Sequence, residues 1–201
     1  MTENAALAIY AANTDALAAR YDAVTTETVL AGLLDLIPAA PARVLDAGAG
    51  SGRDAAWFAA RGHAVTAAEP VAGFRARIAA RAPQVTLCDA SLPGLEGLTG
   101  PFDLILVNAV WHHLTPPSRD RALVRLAGLM APDGCLLIAL RIGPVPTGQP
   151  LHLLDPDAEV ARAAAAGLAL CRRHAAAAHD AQTSAAGIGW TWLALSKEPA
   201  P

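Results

Sequence analysis

A glycine-rich turn that opens with an acidic residue is the strongest chemical signal in this sequence. It reads Asp46-Ala47-Gly48-Ala49-Gly50-Ser51-Gly52, follows a short apolar run and leads into a helical pattern. Alternating glycines let the backbone bend sharply and let a ligand come close without meeting a Cβ atom. Free N–H groups at the start of the following helix favour negative charge, so a carboxylate or a phosphate could bind there.

Two more carboxylates follow predicted strands further along the chain. Glu69 ends the second strand, about 20 residues beyond the glycine turn, where nucleotide-binding α/β folds place an acidic group that accepts hydrogen bonds from ribose hydroxyls. Asp89 comes just after the third strand and could bond an adenine amino group. Because open α/β sheets bind ligands at the carboxyl ends of their strands, we expect Asp46, Glu69 and Asp89 to surround one nucleoside.

The elements that must position these residues alternate between strand and helix. The predicted strands cover residues 43–46, 63–68, 84–88, 102–107, 135–140, 168–172 and 189–196. The predicted helices cover 53–61, 71–81, a stretch from Thr115 to a turn at Pro132-Asp133-Gly134, and 155–167. This alternation predicts one α/β domain with a Rossmann-like, mostly parallel sheet and helices on both faces. The last two strands lack an evident helix between them, so we expect them to pair antiparallel.

Residues 1–40 precede this alternation and form a predicted helical segment of the same domain, whose ligand-binding part covers 41–198. An amphipathic stripe is formed by Val29, Leu30, Leu33, Leu34 and Ile37. Thr25 or Thr26 is suited to cap this helix, and Pro38 and Pro41 are expected to end it.

Composition excludes several classes of protein. The chain has 201 residues, 54% of them hydrophobic, and a formal net charge of −3 with scattered arginines, which disfavours nucleic-acid binding. Its apolar runs fall short of the roughly 20 residues that a membrane span needs, and Glu3 and Asn4 do not fit a signal peptide. Three cysteines without CxxC spacing predict neither disulfides nor zinc, so a cytoplasmic protein is expected. A monomer and a homodimer both stay open.

In their order and spacing these elements resemble a known family. Val44–Gly52, Glu69, Asp89 and Phe102–Asn108 are similar to the successive motifs of class I S-adenosylmethionine-dependent methyltransferases. The resemblance covers roughly residues 42–142. It implies a seven-stranded sheet whose last strand is antiparallel, S-adenosylmethionine as cofactor, and methyl transfer to an acceptor that the motifs do not identify.

The resemblance also implies roles for single residues. Asp46, Gly48 and Gly50 would hold the methionine part of the cofactor, Glu69 with Pro70 the ribose, Asp89 with Ala90 the adenine, and Asn108 with Ala109 the amino group and sulfonium. Tyr10, Arg20 and Tyr21 would form a lid, although plain packing is an equal alternative for each. Arg53 would pair with Asp54, with the cofactor carboxylate or with the N-terminal segment.

Trp111-His112-His113 follows the fourth predicted strand and faces the expected methyl group. The Trp111 face could attract the sulfonium cation or simply pack under the next helix. His112 or His113 is a candidate general base, with a solvated or capping histidine as the alternative. His152 lies in a loop over 142–154 that could reach the acceptor. No third ligand is spaced for a metal, so no metal site is expected.

The sequence therefore predicts a methyltransferase that acts on a small molecule by in-line displacement. Two alternatives stay open. One is a protein that binds S-adenosylmethionine without catalysis, because it would share every cofactor motif. The other is an NAD(P)-binding oxidoreductase, because Gly50-Ser51-Gly52-Arg53-Asp54-Ala55 also fits the dinucleotide fingerprint G-x-G-x-x-A.

Overall fold

The computed structural model describes residues 3–145, 151–176 and 184–197. Within these ranges the helices are α1 (Glu3–Ala12), α2 (Thr14–Asp22), α3 (Thr26–Val29), α4 (Arg53–Ala60), α5 (Ala72–Arg81), α6 (Pro116–Leu129) and α7 (Pro156–Ala165). The strands are β1 (Arg43–Ala47), β2 (Ala64–Ala68), β3 (Thr86–Cys88), β4 (Phe102–Val107), β5 (Met130–Ile142), β6 (Leu168–Ala176) and β7 (Gly189–Lys197). Short 3-10 turns occupy Leu34–Leu36 and Trp111–His113.

The strands form one sheet in the order β3-β2-β1-β4-β5-β7-β6. The pairs on the β3 side of β5 are parallel, whereas β7 runs antiparallel to both of its neighbours, β5 and β6. The predicted Rossmann-like α/β sheet with an antiparallel last strand is therefore confirmed. This arrangement brings the carboxyl ends of β1 to β5 to one edge.

Alternate side chains of each central strand enter separate hydrophobic cores on the two faces of the sheet. Leu45 and Ile105 pack with the apolar side of α6, whereas Val44 and Leu104 pack with Phe58 of α4. Strands that are covered on both faces must be apolar throughout, which explains the nearly continuous hydrophobic run of β4. Helices on both faces are thus confirmed. None of the helices in the described ranges has the length and apolar character to cross a bilayer.

The predicted amphipathic helix over 29–37 is wrong in its extent. Helix α3 ends at Val29, and the chain continues through turns and a 3-10 turn. Thr25 caps α3 as predicted, because its hydroxyl accepts a hydrogen bond from the Thr28 N–H. Contacts with β6 replace the missing helical turns: a Cβ on Gly32 would lie 2.3 Å from the His174 ring, and Arg172 bonds the Gly32 carbonyl.

The predicted turn at 132–134 lies inside strand β5, which begins at Met130 rather than Cys135. Its pairing with β4 skips from Met130 opposite Phe102 to Cys135 opposite Leu104, so residues 131–134 bulge out of the ladder. A bulge and a turn share the same Pro-Asp-Gly chemistry, and only the partner strand distinguishes them. Strand β6 also extends beyond its predicted end, to Ala176, because β7 pairs with it over that length.

Candidate functional site

The glycine-rich turn folds back over the end of the neighbouring strand. The Gly48 and Ala49 N–H groups donate to the Ala68 carbonyl over 2.8 and 3.2 Å, and the Gly50 N–H donates to Glu69 Oε2 over 2.8 Å. Parallel pairing of Ala47 with Ala68 sets this relation. The structure therefore places Asp46, at the end of β1, and Glu69, just after β2, around the same turn.

The glycines of this turn are required for two different reasons. Gly48 has a φ of +84°, and a Cβ on it would lie 2.4 Å from Val110 Cγ2, so the turn packs directly under the segment after β4. Gly50 has a φ of +53°, and its nearest side chain is the Tyr21 ring, at 3.6 Å from a built Cβ. Gly48 is thus needed for close packing, whereas Gly50 lies beneath an aromatic cover.

Asp46 carries a buried carboxyl group that is bonded by the Ala55 backbone but has one oxygen without a partner in the described chain. The residue is 2% exposed, and its Oδ2 atom has no partner among the described residues. Burial raises the pKa of Asp46 well above its ordinary value, and the nearby Asp54 and Glu69 carboxylates add to that rise although Arg53 opposes it. Asp46 is therefore a group that a cationic ligand would stabilise in its charged form.

Asp54 is a site residue that the sequence analysis did not assign to the cofactor. Its carboxylate accepts two hydrogen bonds from Arg53, at 2.8 Å each, one from Asn108 Nδ2 at 2.9 Å and one from Thr26 Oγ1 at 2.7 Å. Burial raises the pKa of Asp54, but these donors outweigh burial and hold the pKa below its usual value. The Arg53–Asp54 dipeptide in the first turn of α4 was the available signal. Asp54 fixes the position of Asn108.

Glu69 is buried and bonded on both carboxylate oxygens by backbone groups. Oε2 accepts from Gly50 and Oε1 accepts from the Val71 N–H, each at 2.8 Å. Burial raises the pKa of Glu69 in spite of these bonds. A carboxylate has about four lone-pair positions, so acceptor capacity remains for ligand hydroxyls.

Arg75 joins the two segments that the sequence assigned to ribose and adenine. Its guanidinium donates to the carbonyls of Glu69 and Pro70 and pairs with the Asp89 carboxylate over 2.7 Å. The Asp89 side chain is 68% exposed, whereas Ala90 beside it is buried. Sequence analysis missed Arg75, because only the fold brings α5 against the end of β3.

Helices α1 and α2 cover the turn with aromatic side chains. Tyr10 and Tyr21 both pack on Phe74 of α5, and the Tyr10 hydroxyl lies 2.9 Å from His113 Nε2. Burial raises the pKa of both tyrosines. Arg53 also donates to the Tyr21 carbonyl over 3.0 Å, which ties the cover to α4. Arg20 lies in the last turn of α2 with an exposed side chain.

Trp111, His112 and His113 follow β4, and each has different contacts. Trp111 is buried and donates its indole N–H to Glu159 Oε2 over 2.8 Å, in line with the packing interpretation. His112 is 6% exposed, and its Nδ1 has no partner among the described residues. Burial lowers the pKa of His112 well below its usual value, with contributions from His113 and Arg141. Ala109, half-buried, adopts a φ of +58°, and His152 donates its backbone N–H to the His112 carbonyl.

The charges around the glycine turn do not balance. The carboxylates of Asp46, Asp54 and Glu69 are buried together, whereas Arg53 pairs with Asp54 and the nearby Arg75 pairs with Asp89. An excess of buried negative charge favours a ligand that carries positive charge. The site is therefore suited to a cationic ligand whose hydroxyl groups reach Glu69.

The sequence and the fold of this chain are similar to those of methyltransferases. A family model described as "Methyltransferase domain" matches residues 44–134. A curated relative, trans-aconitate 2-methyltransferase of Methylobacterium nodulans, is 34% identical over 166 residues, which cover 78% of this chain and 62% of that protein. The chain spans less than two thirds of the length of the curated relatives it matches.

Solved structures share the fold at lower identity. A TehB-like S-adenosylmethionine-dependent methyltransferase from Corynebacterium glutamicum superimposes with a TM-score of 0.69 at 20% identity, covering 93% of this chain and 99% of that one. The 1,6-didemethyltoxoflavin-N1-methyltransferase of Burkholderia thailandensis, solved with its acceptor and S-adenosylhomocysteine, gives a TM-score of 0.64 at 24% identity over 96% of this chain and 89% of that one.

Proposed function

Because this chain belongs to the class I S-adenosylmethionine-dependent methyltransferase family, we propose that it binds S-adenosylmethionine at the glycine-rich turn and transfers the methyl group to a small-molecule acceptor. The observation that carries the proposal is the buried Asp46 carboxyl group with its unpartnered Oδ2. S-adenosylmethionine has an ammonium group and a sulfonium, so the site offers negative charge where the cofactor carries positive charge.

Different residues bind different parts of the cofactor. Asp46 and the backbone at Gly48 and Gly50 hold the methionine part, and Asn108, fixed by Asp54, lies beside it. Glu69 receives ribose hydroxyls on its free lone pairs, with Pro70 alongside. Asp89 and Ala90 flank the adenine at the end of β3.

The cover formed by α1 and α2 serves to exclude water from the reacting groups. S-adenosylmethionine supplies an activated methyl group, so the chain contributes mainly alignment and a dry environment. Tyr10 and Tyr21 close the aromatic layer above Gly50, and Arg20 lies at the end of α2 beside them. Arg53 supports this layer from below through the Tyr21 carbonyl.

A general base is needed only for an acceptor that must lose a proton. His112 is better suited than His113 to that role, because burial keeps its imidazole neutral near pH 7 and its Nδ1 has no partner among the residues that the structure describes. His113 already contacts the Tyr10 hydroxyl. Trp111 holds this segment in place by packing rather than by facing the ligand.

A small-molecule acceptor is supported by the names of two relatives. One is named for trans-aconitate, and the other was solved with 1,6-didemethyltoxoflavin bound. The acceptor of this chain is best sought by measuring S-adenosylhomocysteine release over a metabolite library that includes trans-aconitate.

Calorimetric titration with S-adenosylhomocysteine tests the site. We expect binding by the wild type, a loss of about tenfold or more in Glu69→Gln, and wild-type affinity in Asp133→Asn, whose exposed carboxylate lies outside the site. A folded wild-type chain that binds neither S-adenosylhomocysteine nor S-adenosylmethionine contradicts the proposal. Binding without methyl transfer to any acceptor favours a non-catalytic cofactor-binding protein instead.

A further inference from the structure

Arg141, near the end of β5, is a buried cation that no carboxylate of the described residues balances. The residue is 8% exposed, and its guanidinium donates one hydrogen bond, from Nη2 to the Pro144 carbonyl over 2.9 Å. No ion pair joins it to a carboxylate of the described residues. The other buried arginine of the described chain, Arg119, is paired with Glu159.

A buried guanidinium without a counter-charge is costly to fold. Proteins compensate the burial of a charge by an opposite charge together with hydrogen bonds. The Pro144 carbonyl carries no net charge and accepts a single hydrogen bond from Arg141. Arg141 has up to five donors and uses one of them on the described chain. An anionic ligand would supply the missing charge and accept the remaining donors.

His112 provides an independent sign of a ligand at the same place. Its buried Nδ1 has no partner in the described ranges, and Arg141 lies close enough for its charge to help lower the His112 pKa. Trp190 connects the two residues: it stands opposite Arg141 in the β5–β7 ladder, and its ring centroid lies 6.1 Å from that of His112. Two unsatisfied polar groups therefore share one aromatic wall.

This cluster adjoins the position proposed for methyl transfer. His113, next in sequence to His112, contacts Tyr10 of the cover, and Asn108 directly follows β4, the strand that pairs with β5. The carboxyl ends of β4 and β5 lie at the same edge of the sheet. A ligand held by Arg141 would thus lie beside the cofactor rather than in its place.

We propose that Arg141 and His112 form an anion subsite that anchors a carboxylate of the methyl acceptor. The inference rests on the proposed function, because it names the substrate class for that site. A single guanidinium matches the single charge and the planar, two-oxygen shape of a carboxylate. A neutral His112 protonated on Nδ1 donates a further hydrogen bond from that atom, so in this role its Nδ1 does not act as the general base. The subsite recognises the acceptor through this group, and the methyl group goes to another atom of the same molecule or to the carboxylate itself.

The first test measures anion binding without catalysis. Succinate is the probe, and its neutral diamide, succinamide, is the matched control at equal ionic strength, with thermal unfolding as the readout. We expect succinate to raise the Tm of the wild type by about 2 °C or more. The same rise is expected in Arg121→Gln, which removes an exposed arginine of α6, and no rise in Arg141→Gln. An equal response to succinamide, or an unchanged response in Arg141→Gln, overturns the subsite.

A second variant separates ligand binding from folding. Arg141→Met removes the unbalanced charge and keeps an apolar side chain of similar length, so its Tm without ligand should equal or exceed that of the wild type. A Tm lowered by several degrees in both Arg141 variants would assign Arg141 a structural role and overturn the subsite.

Measurements of cofactor binding distinguish a failure of the anion subsite from a failure of the proposed function. Arg141→Gln should bind S-adenosylhomocysteine within about twofold of the wild type, and its KM for a carboxylate acceptor should rise about tenfold or more, with a smaller change in kcat. If the wild type binds no S-adenosylhomocysteine, the proposed function fails, whereas the succinate experiment still decides the subsite. If active acceptors prove to be neutral amides as often as acids, the subsite fails while the proposed function stands.

Discussion

The Tyr10 hydroxyl and the His113 imidazole lie 2.9 Å apart although 103 positions separate them in the chain. Their rings also meet edge to face, with centroids 5.5 Å apart. This contact joins the first helix to the segment that follows β4, and it closes the aromatic cover over the glycine turn. The cover is therefore held at one side by a polar contact and at the other by packing on Phe74.

Tyr10→Phe should weaken cofactor binding with little effect on folding. The substitution keeps the ring and removes the hydroxyl that meets His113, which corresponds to about 1 kcal/mol for a hydrogen bond of this kind. We expect S-adenosylhomocysteine affinity to fall about threefold to tenfold by calorimetry. Asn13→Ala, which removes only a bond to the Ile9 carbonyl on an exposed surface, serves as the control. Unchanged affinity in Tyr10→Phe would show that the cover does not depend on this contact.

Asp46→Asn should stabilise the ligand-free chain and abolish cofactor binding. Each unit by which burial raises the Asp46 pKa costs about 1.4 kcal/mol once the group is charged, and the amide avoids that cost. We expect a gain of about 1 kcal/mol or more in the free energy of unfolding at pH 8, by urea titration.

Asp54→Asn is the matched comparison, and it should act in the opposite direction. Its carboxylate is bonded by Arg53, Asn108 and Thr26, and neutralising it leaves the half-buried Arg53 without its charged partner. Stabilisation by both substitutions, or by neither, would contradict the assignment of the unbalanced charge to Asp46.

The stability difference between the wild type and Asp46→Asn should depend on pH. A carboxyl group whose folded pKa is raised contributes stability below its unfolded pKa, about 4, and loses that contribution as the pH rises through the folded value. The two proteins should therefore be equally stable near pH 3 to 4 and diverge upward from there. Arg53 and Asp54 of α4 and Glu69 after β2 face Asp46, so all four groups belong to the titration.

Cofactor affinity should depend on the same titration of Asp46, but in the opposite direction: it should rise with pH, whereas the stability contribution of Asp46 falls. The ammonium group of S-adenosylhomocysteine favours charged Asp46, so the affinity of the wild type for this ligand should fall as the pH drops through the raised pKa. Calorimetry between pH 5 and 8 measures this slope, with Asp133→Asn as the reference that keeps Asp46. A flat profile in the reference and the wild type alike would argue against Asp46 as the residue that binds the ammonium group.

Removing Glu159 alone should lower the free energy of unfolding more than removing both partners of the buried Arg119–Glu159 ion pair. Its side chain is 3% exposed, accepts the Trp111 indole N–H and pairs with Arg119. Glu159→Leu should cost about 3–5 kcal/mol, because it leaves a charged Arg119 in the interior. Adding Arg119→Met should recover part of this loss in urea unfolding. A double variant that is less stable than Glu159→Leu would contradict the explanation.

Local signals made most of the fold predictable, and long-range contacts account for the rest. A strand, a glycine turn and a helix follow one another directly at 43–60, so the sequence was enough to locate Asp46 and Gly50. Arg75 and Arg141 matter through neighbours on other segments, Asp89 after β3 for Arg75 and His112 after β4 for Arg141, which no local pattern shows. The amphipathic stripe after Val29 buries Leu30 and Leu33 as a helix would, yet contacts with β6 impose turns there instead.

Arg53 bonds both Asp54 and the Tyr21 carbonyl, so it links the carboxylates at the sheet edge to the cover formed by α1 and α2. We expect this link to affect the rates of ligand binding and release as well as the affinity. We expect entry and departure of the ligand to require a shift of α1 and α2, while the carboxylates at the ends of β1 and β2 keep their positions. Substitutions in the first 22 residues should therefore change the association and dissociation rate constants together, whereas those of Asp46 and Glu69 should act chiefly on dissociation. We expect the opening of α1 and α2 to limit turnover.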